Sequence, residues 1–228
     1  MDFNNKVLHV FHLFGVEIWL TQTIVNTWAI MAALTLFALA VRILLRRFKP
    51  VPAGFQNAVE LAVEAFGSVV RNAVGEKYMY LGNWFFMVFA FILASNLSGV
   101  LGLRPPTADF ATTFALALAT FVLIQVIGFT QRKGKYLKSF FEPIFIFFPL
   151  NLLGELARPV SLSFRLFGNV LAGMILLGLV YQLPIYLRFV IPAAAHAIFD
   201  VFFGALQTYV FCVLSLSFIG AAAKQAGE

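Results

Sequence analysis

Five long stretches without a charged residue limit this chain to very few folds. An α-helix needs about 20 consecutive apolar residues to cross a hydrocarbon layer roughly 30 Å thick. The five stretches reach that length, and they do not alternate polar and apolar residues as the strands of a β-barrel do. The sequence therefore predicts an all-α polytopic membrane protein, with uncharged stretches at 18–41, 78–103, 110–131, 166–187 and 201–223.

The charged residues are few and mostly basic, and this balance excludes several classes of partner and site. Only 11% of the 228 residues are charged, and the net charge is +6. Lys and Arg are enriched on the cytoplasmic loops of membrane proteins, which accounts for the excess. No basic helix carries interleaved aromatic residues, so no nucleic-acid partner is expected. Cys212 is the only cysteine, and His9 and His12 have no neighbouring ligands, so we predict no metal site and no cofactor.

The positions of the basic residues predict the orientation in the membrane. Basic residues follow the first stretch at 42–49 and the third at 132–138, and Lys224 lies near the end of the chain. These loops and the C-terminus are expected in the cytoplasm, and the N-terminus and the loop at 104–109 outside. The residues before Ile18 lack the basic start and small-residue cleavage site of a signal peptide, so the first span is expected to be retained.

One predicted helix does not fit the simple alternation of spans. Segment 55–74 lies between two points that are both expected on the cytoplasmic side, and its apolar and polar residues separate at helical spacing. This pattern is typical of a helix lying in the membrane interface. A helix packed on a partner protein would show the same pattern, so both interpretations stay open.

The C-terminal half predicts helices longer than a membrane requires. Helical patterns run over 140–187 and 188–223, with prolines at 184 and 192 around the turn between them. Excess length is accommodated by tilting. We predict one membrane domain over 1–228, with a hairpin of two long tilted helices here. A transmembrane helix at 18–41, an interfacial helix at 55–74 and a transmembrane hairpin of 78–103 and 110–131 precede it.

Polar residues inside this long hairpin are the candidate functional residues, because polar groups within a membrane are costly and usually functional. Arg165 is the hardest to explain as packing, since a guanidinium cannot lose its proton. The other polar residues can have purely structural roles. Glu155 can form a plain ion pair with Arg158, and His196 can be a satisfied interior residue. Asn169 and Gln207 can join helices by hydrogen bonding. The candidates are Asn151, Glu155, Arg165, Asn169, His196, Asp200 and Gln207.

Three stretches resemble signatures of subunit a of the F-type ATP synthase. They are SNLSGVLGLRPPTAD at 95–109, PLNLLGELARPVSLSFRLFGNVLAG at 149–173 and FDVFFGALQTYVF at 199–211. The resemblance implies a stator subunit, non-catalytic by itself, in the bacterial inner membrane. It also implies three partners: the ring of subunit c, the peripheral stalk of subunit b and the remainder of the complex.

The resemblance also implies a mechanism. Two offset half-channels pass H⁺ or Na⁺ to and from the carboxylates of the subunit c ring, and Arg165 prevents a short circuit between them. Asp200 matches a position where relatives carry Glu or His. Met174 matches one where many carry His or Glu, and it cannot titrate. A relay of the ion through titratable residues at both positions is therefore reduced to Asp200 in this chain, with His196 as the candidate helper.

The alternative is a secondary transporter or an ion channel. A secondary transporter often contains repeated halves, and no repeat is evident here. An intramembrane hydrolase would need a nucleophile with a base, and the sequence offers no such motif. Co-purification with a ring of small two-helix subunits would distinguish the ATP synthase interpretation from these.

Overall fold

The structure is a computed structural model that describes residues 7–13, 16–44, 54–132, 141, 145–184, 186 and 190–224. Within these residues, five helices are long and apolar enough to cross a membrane, which confirms the all-α polytopic prediction. They are Gln22–Leu44, Leu81–Leu101, Phe110–Thr130, Phe148–Val180 and Ile191–Ala223.

A short β-hairpin precedes the first span, and the sequence did not predict it. Strands β1 (Val7–Leu13) and β2 (Val16–Thr21) pair antiparallel, with Val10 opposite Trp19. Helix α1 therefore covers Gln22–Leu44, and the predicted start of the span at residue 18 is wrong. Residues 16–21 satisfy their backbone groups by pairing with β1, so the helix begins only after them.

Helix α2 (Phe55–Val74) has the predicted bounds. Gly54 and Gly75 flank it at φ 59° and 78°, conformations that favour glycine and interrupt a helix. Val70 and Val74 at its end are buried in the bundle, while Leu61 and Val63 stay exposed. The apolar surface of α2 is thus only partly covered by the described part of the chain.

Gln56 is a buried polar residue at the start of α2. It is only 7% exposed. Its Nε2 donates to Glu60 Oε1 at 2.8 Å. A hydrogen bond within the helix thus supplies a partner for this buried amide.

The central transmembrane hairpin agrees with the predicted spans apart from its ends. A 3₁₀ turn (Glu76–Tyr78) leads to helix α3 (Leu81–Leu97), and a second 3₁₀ turn (Ser98–Leu101) extends that span. A third 3₁₀ turn (Pro106–Ala108) comes before helix α4 (Phe110–Arg132). Asp109 Oδ1 accepts a hydrogen bond from the Ala111 amide at 3.1 Å, so a side chain caps the start of α4.

Both helices of the C-terminal hairpin differ in their bounds from the prediction. After a 3₁₀ turn (Phe145–Phe147), helix α5 covers Phe148–Val180 and the chain turns at Tyr181, so the described helix is shorter than the predicted 140–187. The last span consists of α6 (Ile191–His196), a π-helical segment (Ala197–Phe203) and α7 (Gly204–Lys224). The rest of the predicted 140–187 and 188–223 at 140, 142–144, 185 and 187–189 lies outside the described residues.

The π-helical segment is a local feature of the last span that the helical pattern predicted over 188–223 did not specify. π-Helical turns are rare and often occur at functional sites. Close contacts with the α3 region lie at this segment and just after it. The Asp200 carboxylate packs closely against Gly99, and the Asn96 side chain packs closely against Gly204. These contacts join segments far apart in the sequence, so local periodicity could not reveal them.

The core consists of two buried clusters that share α3, α4 and α7. The first includes Val70 and Val74 of α2 together with Leu216 and Ile219 of α7. The second joins α5 to the same helices, and its members are Val88, Ile92, Ala117, Leu162, Leu166, Phe211 and Cys212. Helix α7 therefore packs in the middle of the bundle, and α5 lies beside it. This places the polar residues of the last two spans next to each other.

Candidate functional site

Arg165 lies near the middle of α5, about 25 Å along the helix axis from Phe148 at roughly 1.5 Å per residue. The next residue, Leu166, is completely buried, whereas Arg165 is exposed on the outer surface of the bundle. Its guanidinium makes no hydrogen bond or ion pair with any residue that the structure describes.

The surface around Arg165 is open. A Cβ atom placed on Gly168, which follows Arg165 on α5, would meet no atom within 4 Å. An unpaired cation on an apolar helix is costly in a membrane. Arg165 therefore needs water or an anionic group from outside the described part of the chain. The small residue beside it leaves room for another helix to approach closely.

Asn169 and Gln207 join α5 to α7 one helical turn beyond Arg165. Asn169 Nδ2 donates to Gln207 Oε1 at 2.7 Å, as the hydrogen-bonding interpretation of these two residues predicted. Gln207 is only 6% exposed, and its Nε2 has no partner within the part of the chain that the structure describes. A buried amide with unused donors can bind water or a passing polar group.

Asn96 is a buried hydrogen-bonding residue that the sequence analysis did not single out. Its Nδ2 donates to the Gly204 carbonyl at 3.0 Å and to Thr208 Oγ1 at 3.3 Å. Its Oδ1 accepts from Thr107 Oγ1 at 2.7 Å. Asn96 thus ties α3 to the 3₁₀ turn at Pro106–Ala108 and to the last span. Its place in the 95–109 signature was the one available signal.

A chain of hydrogen bonds holds Asp200, and it includes Tyr181, which the sequence did not indicate as a functional residue. His196 Nδ1 lies 2.5 Å from Asp200 Oδ2, so these two side chains form a hydrogen-bonded pair. The other ring nitrogen of His196, Nε2, lies 2.8 Å from Tyr181 Oη. Tyr181 follows the C-terminal end of α5, so the chain links both long helices. Met174, on α5, is half-buried and offers no titratable group.

Polar side chains from the hydrogen-bonded groups described above line an open cleft between α3, α5 and the last span. The Asp200 carboxylate and the hydrogen-bonded pair of Asn169 and Gln207 both line this cleft. The residues that line it include Asn96, Pro105, Asn169, Asp200, Gly204 and Gln207. The cleft therefore connects the Asp200 carboxylate with the polar pair beside Arg165.

A separate polar cluster lies near the start of α5. Arg158 Nη1 is 2.7 Å from Glu155 Oε1, so the predicted ion pair forms. Gln125 of α4, which the sequence analysis missed, donates to Glu155 Oε2 at 3.4 Å. Asn151 lies one turn before Glu155 and is half-buried. This cluster lies about 15 Å along α5 from Arg165, on the side opposite to Asn169.

The candidate residues thus form three groups rather than one site. Glu155 belongs to one cluster and Asp200 to another, and the lone cation of Arg165 lies between them along the hairpin. Such an arrangement can hydrate and hold a small cation near either carboxylate. A cation near Arg165 would be repelled by the positive charge of its guanidinium.

Comparison with known proteins identifies the family. The family model described as ATP synthase A chain matches residues 24–220. Subunit a of the ATP synthase of Moorella thermoacetica is 32% identical over 216 residues, covering 94% of this chain and 95% of the relative. ATP synthase subunit a 2 of a Bradyrhizobium species is 37% identical over 215 residues, covering 93% and 92%.

A third relative is described as sodium ion specific. This subunit a of the ATP synthase of Propionigenium modestum is 34% identical over 221 residues, covering 87% of this chain and 73% of the relative. The matches extend over most of the chain and support a stator role in an ion-translocating membrane sector, against the transporter and channel alternatives. The chain therefore belongs to the ATP synthase subunit a family, as a multi-pass membrane subunit of an F-type ATP synthase.

Proposed function

We propose that this chain forms two offset half-channels that pass H⁺ or Na⁺ to and from the carboxylates of the subunit c ring, and that Arg165 keeps the half-channels apart. The observation that carries the proposal is the exposed guanidinium of Arg165, which is unpaired among the described residues in the middle of a long apolar helix. A ring that presents acidic groups at that depth would supply the missing anion.

The electrostatics of Arg165 would impose the order of events. A fixed positive charge lowers the pKa of a facing carboxylate, so a ring carboxylate would release its ion before it reaches Arg165. Two unit charges 4 Å apart interact by about 4 kcal/mol at an effective dielectric constant of 20. The driving force for one ion is about 2.3 kcal/mol per 100 mV. The interaction energy between Arg165 and a ring carboxylate would therefore be comparable to the free energy that drives one ion across the membrane.

The two carboxylate clusters would serve one half-channel each. Glu155, with Asn151 and Arg158, would belong to the cytoplasmic half-channel. Asp200, with His196, would belong to the outer one, and the cleft at Asn169 and Gln207 would lead from it toward the ring. The support is the order of these groups along α5 and the last span.

The orientation and further partners follow from charge and exposure. The basic loops and Lys224 support a cytoplasmic C-terminus and an outer N-terminus in a bacterial inner membrane. Helix α2 leaves Leu61 and Val63 exposed, which suits a helix in the cytoplasmic interface. The surface around Arg165 and Gly168 would face the subunit c ring. The peripheral stalk of subunit b would bind elsewhere on the bundle.

The test is ATP-driven ion uptake by the complete complex in liposomes. Arg165→Ala should abolish uptake because the gate charge is lost, and Arg165→Lys should recover only part of it because lysine lacks the planar fork. The matched control is Arg71→Ala, since Arg71 lies on α2 with a side chain 60% exposed. Uptake by Arg165→Ala equal to that of Arg71→Ala would refute the proposal. Assays with and without Na⁺ would identify the ion.

A further inference from the structure

We propose that Tyr181 is the outer end of a proton relay that reaches Asp200 through His196. This inference rests on the proposed function, since it assigns the ion and the entrance of the outer half-channel. The three side chains form an unbroken chain, with 2.8 Å between Tyr181 Oη and His196 Nε2 and 2.5 Å between His196 Nδ1 and Asp200 Oδ2.

The exposure of the three groups falls along the chain. Tyr181 is 41% exposed at the end of α5. The side chains of His196 and Asp200 are 17% and 11% exposed. The Asp200 carboxylate also lines the cleft that holds Asn169 and Gln207. The chain therefore runs from an exposed tyrosine to the polar cleft beside Arg165.

The use of both ring nitrogens distinguishes a relay from simple packing. A histidine that only supports a carboxylate needs one hydrogen bond, whereas His196 is engaged at Nδ1 and at Nε2 by groups from two different helices. A neutral imidazole has one donor and one acceptor nitrogen. It can therefore accept a proton on one side and release another on the opposite side.

The transfer is balanced in protons. His196 Nδ1 gives its proton to Asp200 Oδ2, and His196 Nε2 takes the hydroxyl proton of Tyr181. Tyr181 in turn takes a proton from a hydronium ion on the outer side, which leaves a water molecule there. One proton has then moved from that hydronium ion to Asp200, and His196 is again neutral with its proton on the other nitrogen. A rotation of the His196 imidazole that exchanges Nδ1 and Nε2 returns the relay to its starting state. A reversal of the hydrogen-bond directions between Tyr181 and Asp200 does the same.

Such a chain carries H⁺ and not Na⁺. A metal cation enters a site by gathering several oxygen ligands. Along the three residues, an imidazole nitrogen is the only link between the Tyr181 hydroxyl and the Asp200 carboxylate. The relay thus deepens the proposed function by making protons the ions that use this outer entrance.

The test compares Tyr181→Phe with Tyr186→Phe in the complete complex. Tyr186 lies between the same two helices and is 89% exposed, so it is the matched control. Loss of one hydrogen-bonded link should lower ATP-driven proton uptake about threefold to tenfold in Tyr181→Phe, without loss of assembly. Tyr186→Phe should not change it. Equal uptake in the two variants would overturn the relay.

A double-mutant cycle separates a relay from a structural tie. If Tyr181 acts through His196, Tyr181→Phe should add no further loss to His196→Gln. Multiplied losses in the double variant would overturn the proposal, and so would uptake that requires Na⁺ and moves no protons. Arg165→Ala in the same assay distinguishes the two proposals. If Arg165→Ala abolishes uptake while Tyr181→Phe matches its control, only the relay is wrong.

Discussion

Replacing Gly99 with alanine is expected to disturb the Asp200 carboxylate while leaving the fold intact. A Cβ atom on Gly99 would lie 2.8 Å from Asp200 Oδ2 and 2.9 Å from its Cγ. Non-bonded heavy atoms need about 3.5 Å, so the carboxylate must retreat by roughly 0.7 Å. Gly99 is not among the glycines with positive φ in the described chain, so alanine suits its backbone.

The magnitude follows from the contact that the shift would break. The carboxylate of Asp200 lies 2.5 Å from His196 Nδ1, and a retreat from Gly99 changes that geometry. A hydrogen bond to a charged group contributes about 1.5–3 kcal/mol. Its loss would slow transfer to Asp200 about 10-fold to 150-fold. The displaced atoms belong to the end of one side chain, so the cost to folding should be small.

ATP-driven ion uptake in liposomes, compared at equal ATP hydrolysis, would measure the effect of Gly99→Ala. The control is Gly154→Ala, because a Cβ on Gly154 would meet no atom within 4 Å. Gly99→Ala should assemble normally and lose most of its uptake. If it transports as fast as Gly154→Ala, the assigned role of the Asp200 contact is wrong.

Two further predictions concern the packing that supports the site. Gly220→Ala would place a Cβ 2.2 Å from the Ala73 carbonyl oxygen, a backbone atom that cannot swing away. The free energy of unfolding should fall by about 1–3 kcal/mol in thermal melts, and a melt equal to that of Gly154→Ala would contradict this contact. Asn96→Ala removes three hydrogen bonds and leaves the buried Thr107 hydroxyl without its acceptor. It should cost about 2–4 kcal/mol in the same melts, and an unchanged melting curve would show that Asn96 does not tie these helices together.

Membrane thickness and local chemistry made the main helices predictable. The span predicted at 110–131 is Phe110–Arg132 in the structure, because its apolar length is set by the hydrocarbon layer. Helix α2 has its predicted bounds because Gly54 and Gly75 interrupt the helix at both ends. The four-residue spacing of His196 and Asp200 placed them on one face of the last span, where the structure brings their side chains into contact.

Features that depend on contacts between distant segments were not predictable. The β-hairpin requires residues 16–21 to pair with 7–13 instead of extending the helix, a choice that hydropathy cannot show. The π-helical segment at Ala197–Phe203 accompanies close contacts with α3, which lies about a hundred residues earlier. Tyr181 and Asn96 have ordinary local sequences, and only the tertiary structure shows their partners.

The most direct test of the gate is one distance in the assembled complex, measured from the Arg165 guanidinium carbon to the nearest carboxylate of a neighbouring chain. The account predicts a carboxylate within about 4–6 Å in the middle of the membrane, the range at which opposite charges shift a pKa strongly. A guanidinium that faces lipid headgroups, or has no acidic group of another chain within roughly 10 Å, would contradict it.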